Sequence, residues 1–189
     1  MNANDPAELA VDRATLPWLE AVHARRRVLQ AVAAGLVLAL LPALARAAST
    51  PALPKSFDPK RDPVADLAAA TQLAASSGRR VIMDVGGEWC SWCHILDRFF
   101  ASHPDLLALR EQHYVWLKVN YSPDNRNEAF LGQWPKIKGY PHLFVVDPNG
   151  KLVHSQDTAA LERGESYSAD ALRAFLVRYA PPSGGAGRA

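Results

Sequence analysis

Two cysteines separated by two residues, Cys90 and Cys93, stand where an apolar run gives way to a helical pattern, and the chain has no others. The run Arg80-Val81-Ile82-Met83-Asp84-Val85 reads as a buried strand, and Gly86-Gly87 breaks it. The following Ile95-Leu96-Asp97-Arg98-Phe99-Phe100 continues as a helix. Two thiols at a strand-to-helix junction can close into a small disulfide ring and reopen, which suits the carrying of electron pairs. A scaffold stapled by disulfides needs several pairs, so one pair does not make one. The spacing alone leaves redox, metal and haem chemistry open.

What surrounds the pair narrows the choice. With a net charge of +2 over 189 residues, the chain has no electrostatic case for a nucleic-acid partner. From Val28 to Ala45 it is apolar and rich in Ala and Leu, preceded by Arg25-Arg26-Arg27 and closed by Ala45-Arg46-Ala47. A charged flank, an apolar core and a small-residue cut site make a secretory signal over residues 1–47. The same stretch, 28–45, is near the lower limit of a membrane-spanning helix, so an uncleaved anchor is the alternative. Arg25-Arg26-Arg27-Val28-Leu29 also fits a twin-arginine pattern, and the sequence leaves the export route open. Either route places the dithiol outside the cytoplasm, in the periplasm or beyond, where it meets oxidising conditions.

Prolines 51, 54, 59 and 63 mark residues 48–61 as an extended linker, and Pro- and Gly-rich residues 181–189 read as a disordered tail. Between them, residues 62–180 make one small domain. Helix is predicted from Val64 to Ala75, strand from Arg80 to Val85, then helix from the cysteine motif to about Ala101. Asp105 to Gln112 adds a turn or two of helix, and Tyr114 to Val119 is the next strand. Glu128 to Trp134 is a short helix, and His142 to Val146 a strand. The turn Asp147-Pro148-Asn149-Gly150 folds Lys151 to Ser155 back on it, and a helix from Ser168 to Tyr179 closes the domain. The order αβαβαββα gives an α/β fold, a central mixed β-sheet flanked by helices.

The stretch from Val81 to Cys93 resembles the active-site segment of the thioredoxin superfamily. Lys118-Val119-Asn120 is similar to its next strand, and Ile137-Lys138-Gly139-Tyr140-Pro141 to its cis-proline loop. The hairpin from Phe144 to Lys151 follows in the right place. The resemblance is to exported thioredoxin-like proteins with a segment, here Ser102 to Gln112, added after the active-site helix. It implies a thioredoxin-like fold and a thiol–disulfide oxidoreductase acting on protein disulfides.

By that resemblance Cys90 is the nucleophile, set at a helix N-terminus where free N–H groups and the helix dipole favour a thiolate. Cys93 resolves the mixed disulfide, and Asp84 is the buried acid that moves a proton for it. Lys118 accompanies that acid, and Pro141 is cis and faces the disulfide. The backbone of Tyr140, with Trp89 and Trp92 beside the cysteines, meets the substrate; Trp92 is placed at the exposed tip. His94 tunes the thiolates by its charge. Ser91-Trp92 is neither the Gly-Pro of thioredoxin nor the Pro-His of the strong periplasmic oxidant, so the direction of electron flow stays open.

The implied cofactor set is none beyond the Cys90–Cys93 disulfide, with no metal. A protein thiol or disulfide is the expected substrate, a membrane thiol relay the electron source, and a monomer the expected state. Two other readings exist. One is a non-catalytic thioredoxin-like module binding a partner or a metal, with zinc held by Cys90, Cys93, His94 and either His103 or His113. The other is c-type haem attached through Cys90-Ser91-Trp92-Cys93-His94, which lacks a distant methionine ligand because Met83 falls inside a buried strand.

Overall fold

The computed structural model describes residues 52–182. The leader expected over 1–47, the linker's first residues, 48–51, and the tail residues 183–189 lie outside them. Helix α1 is Pro63–Ser77, strand β1 Arg80–Gly86, helix α2 Ser91–Ser102, helix α3 Pro104–His113 and strand β2 Tyr114–Asn120. A one-turn helix α4, Glu128–Leu131, leads to the hairpin β3, His142–Val146, and β4, Leu152–Asp157. A 3-10 turn, Thr158–Leu161, and a two-residue hairpin, β5 Glu162–Arg163 with β6 Ser166–Tyr167, precede helix α5, Ala169–Arg178.

The four long strands form one mixed sheet in the order β2-β1-β3-β4. β1 runs parallel to β2 and antiparallel to β3, and β4 returns antiparallel on β3. This is the thioredoxin-like arrangement that the resemblance implied.

Strand parity sorts the side chains into two cores, because successive residues of a strand face opposite sides of the sheet. Val81, Met83 and Val85 of β1 and Val115, Leu117 and Val119 of β2 join Ala70 and Ala74 of α1 and Phe130 of α4. Ile82 and Tyr114 face the other way, against Leu96 and Phe100 of α2, Leu106 of α3 and Leu172, Phe175 and Leu176 of α5. Asp84 and Gly86 share the parity of Ile82, and Lys118 that of Tyr114. The chemistry-bearing residues of the sheet therefore lie under α2.

Local chemistry fixes the helix ends. Asp62 caps α1, its carboxylate accepting from the N–H of Val64 at 2.9 Å and of Ala65 at 3.4 Å. Gly78, at φ 67°, takes the left-handed conformation that ends it. The turn or two expected over Asp105 to Gln112 is a full helix: α2 stops at His103 and restarts on Pro104, whose missing N–H suits a first helical position. The short helix expected to reach Trp134 stops at Leu131, where the bonding tightens to i→i+3 turns: Gln133 N–H donates to Phe130 O at 3.2 Å and Trp134 N–H to Leu131 O at 3.1 Å.

Residues 52–61, expected as linker, have no helix or strand. They nonetheless carry Phe57, which is 2% exposed and packs with Cys90 and Cys93.

Candidate active site

Cys90 and Cys93 are joined as a disulfide with their Cα atoms 5.3 Å apart. Cys90 is the N-cap of α2, in extended backbone at φ −88° and ψ 103°, and its Sγ accepts from the Cys93 N–H at 3.1 Å. A sulfur in this position faces the unpaired N–H groups of the first helical turn, which stabilise negative charge there. Cys90 keeps 3% of its surface exposed and Cys93 none. No side chain separates Cys93 from the end of β1, because residue 86 is glycine: a Cβ there would stand 2.4 Å from Cys93 Sγ.

Asp84, on the same face of β1 two residues before Gly86, is fully buried. The parallel register sets it beside Lys118, whose Nζ donates to Asp84 Oδ2 at 3.2 Å. Lys118 Nζ also donates to both carboxylate oxygens of Asp97, at 2.9 and 3.0 Å. Trp116, two residues before Lys118 and so on the same face of β2, adds its indole N–H to Asp84 Oδ2 at 3.2 Å. The other oxygen, Oδ1, is buried without a hydrogen-bond partner. Burial pushes the Asp84 carboxyl above its ordinary value; the Lys118 ammonium opposes this without cancelling it, and Asp97 adds to it. Burial would lower Lys118, yet Asp84 and Asp97 outweigh it and hold the ammonium above its ordinary value.

The aromatic residues divide differently from the sequence expectation. Trp89 is the exposed one, at 54%, in the turn before the helix. Its indole N–H donates to Tyr121 O at 2.7 Å, and its ring meets Tyr140 edge-on at 5.6 Å. Tyr140 in turn stacks on Tyr121 at 4.7 Å, and burial with the neighbouring Tyr121 pushes its hydroxyl up to about 12. Trp92, expected at the exposed tip, is half-buried: as part of α2 it turns toward β6 and packs edge-on against Tyr167 at 5.6 Å.

The Tyr140–Pro141 bond is cis, as the resemblance implied. Tyr140 packs against the disulfide cluster, and the buried Thr158 hydroxyl donates to Pro141 O at 2.6 Å. His94 folds back over the turn, its Nε2 2.9 Å from Glu88 O and 3.7 Å from Glu88 Oε2. His103 stacks on Phe99 and bonds its carbonyl instead of approaching the cysteines. Among the described residues, no three His, Cys, Asp or Glu side chains are grouped so as to hold a metal ion.

Three residues of this site were not singled out from sequence. Asp97 carried a usable signal, since it lies four residues after Cys93 and so on the same helix face. Trp116 carried a weaker one, its parity with Lys118. Phe57 carried none, because nothing local ties it to the cysteines.

A family model described as thioredoxin-like matches residues 62–148. The chain is 29% identical over 93 residues to the thiol:disulfide interchange protein DsbD of Pseudomonas fluorescens, a stretch covering 49% of this chain and 16% of that protein. Among solved structures, a disulphide isomerase from Xylella fastidiosa Temecula1 superposes with a TM-score of 0.56 at 20% identity. That match covers 67% of this chain and 96% of the other, and it shows the fold. The oxidised C-terminal domain of Neisseria meningitidis DsbD matches at 18% identity over 68% of this chain and 99% of its own, with a TM-score of 0.45.

Proposed function

We propose that this chain, whose fold is thioredoxin-like, is a thiol–disulfide oxidoreductase acting on protein disulfides outside the cytoplasm. The observation that carries the proposal is the position of the disulfide, at the N-terminus of α2 and on the face of the sheet that holds the buried Asp84–Lys118 pair. A structural staple needs neither a helix mouth nor a buried acid.

In the reducing direction, the Cys90 thiolate attacks one sulfur of a substrate disulfide. A Cys90–substrate bond forms, the substrate S–S bond breaks, and the departing sulfur takes up a proton. Cys93 then loses its proton and attacks Cys90 Sγ, which restores the disulfide seen here and releases the second substrate thiol. Two electrons pass to the substrate; run backward, the same steps oxidise it.

Asp84 serves the second step. A buried carboxyl that holds its proton to higher pH than usual can both take and return the proton of Cys93. Lys118 keeps it in place without forcing it to ionise. Trp89, Trp92 and Tyr140 form the surface on which the substrate cysteine docks, with Pro141 buried beside Tyr140, and Trp89 offers the largest exposed apolar area among them. His94, bonded back to Glu88, braces the turn that presents Cys90. The apolar stretch 28–45 exports or anchors the chain, which acts as a monomer, and a membrane thiol relay supplies electrons for the reducing direction.

Insulin reduction tests the assignment. Turnover is expected in the unaltered chain and lost in Cys90→Ser and in Cys93→Ser, with a trapped mixed disulfide in Cys93→Ser alone. Turnover that survives both substitutions ends the assignment, and an unaltered chain without turnover leaves a binding module. Titration against glutathione then fixes the direction, about −270 mV marking a thioredoxin-like reductant and about −120 mV a strong oxidant.

A further inference from the structure

The lead-in before α1 lies outside the span matched by the family model, yet its one buried aromatic ring sits on the disulfide. Phe57 is 2% exposed, and its backbone N–H donates to Glu88 Oε1, in the turn before Cys90, at 2.8 Å. Lys118 Nζ stands 4.1 Å from the centre of its ring. A Cβ at residue 86 would lie 2.4 Å from Cys93 Sγ and 3.2 Å from Phe57 Cζ, so ring and sulfur flank the same point.

The strap is tied on both sides of the ring. Asn125 Nδ2 donates to Pro59 O at 2.8 Å. Arg61 joins Ala52 O at 3.2 Å and pairs with the Asp66 carboxylate. Pro54 and Lys55 wall a cavity of about 350 Å³ that Asp97 and Lys118 also line.

We infer that Phe57 is a positioning residue of the redox site: the strap holds its ring against the cysteine pair as a seal over Cys93 and Lys118, so that what little surface the pair exposes, 3%, belongs to Cys90. The inference rests on the exchange reading, in which the resolving thiol must wait unreacted while the nucleophile meets substrate. Without the seal, Cys93 would itself be open to alkylating agents and to wrong partners, since thiol reactivity follows exposure as well as thiolate character. The ring also contributes a low-dielectric wall beside the acid–lysine pair and a cation–π contact to Lys118.

The test uses the reduced full-length chain, pulsed with iodoacetamide, with alkylation at each cysteine read by mass spectrometry. In the unaltered protein Cys90 is expected to label at least about tenfold faster than Cys93. Phe57→Ala is expected to raise Cys93 labelling about tenfold and leave Cys90 within about twofold, and Phe57→Leu to restore the original ratio. A folded Phe57→Ala protein with an unchanged ratio overturns the inference, as does a parallel rise at both cysteines, which marks general loosening. If Phe57→Ala does not fold, Glu88→Ala, which releases the strap and keeps the ring, decides by the same ratio. Absence of insulin turnover in the unaltered chain would remove the exchange reading, while the labelling ratio would still decide whether the seal exists.

Discussion

Gly86→Ala gives the most direct test of how tightly the disulfide is seated. The added methyl would stand 2.4 Å from Cys93 Sγ and 3.2 and 3.3 Å from Phe57 Cζ and Cε1. Neither neighbour gives way easily: the sulfur is bonded to Cys90, and both Cys93 and Phe57 are buried. Overpacking of this kind costs about 1–3 kcal/mol. For a domain of this size, about 3–5 °C of melting temperature is lost per kcal/mol, so the oxidised protein should melt about 3–15 °C lower.

The reduced form should suffer less, because a free Cys93 thiol can turn to another rotamer about χ1 and the bonded sulfur cannot. If half of a cost near the upper end is relieved on reduction, the difference is about 1.4 kcal/mol. That shifts the equilibrium with glutathione about tenfold toward the dithiol, or about 30 mV to more positive potential. Thermal melts of both redox forms and a titration in glutathione buffers, followed by alkylation, measure the two quantities. An unchanged titration with equal losses of melting temperature in both forms would refute the reasoning.

Asp84→Asn should change how stability depends on pH. The folded carboxyl titrates above its ordinary value of 3.8, so its contribution is complete below that pH and is lost as pH rises through the folded value. Asn removes that loss, and Lys118 keeps its two contacts with Asp97. The variant should therefore gain on the unaltered protein as pH rises above 3.8, by about 1.4 kcal/mol for each tenfold difference in acid constant. Urea midpoints that run parallel across this range would contradict the burial argument. Thr158→Val should cost about 1–3 kcal/mol, because Pro141 O would lose its buried donor; chemical denaturation reads it, and a loss below about 0.5 kcal/mol would show the carbonyl satisfied otherwise.

The apolar runs of β1 and β2, the Gly-Gly break and the dithiol at the helix start were enough to place the strands, the helix and the two sulfurs. These are local signals, set by the β-branched, apolar run of a buried strand and by the glycines that break it before a helix. The short elements between β4 and α5 escaped because two-residue strands have no period to read. Exposure of the two tryptophans went unread for a related reason: which way α2 turns Trp92 depends on Tyr167, about 75 positions away.

Sequence by itself determined that two sulfurs sit one helical turn apart at a strand's exit, and that Asp84 falls inside that strand. Only the tertiary structure decided what surrounds them. The parallel register brought Lys118 to Asp84, the packing of α2 added Asp97, and the lead-in laid Phe57 against the sulfurs. Contacts between residues dozens of positions apart follow from how faces pack, and no local pattern along the chain encodes them.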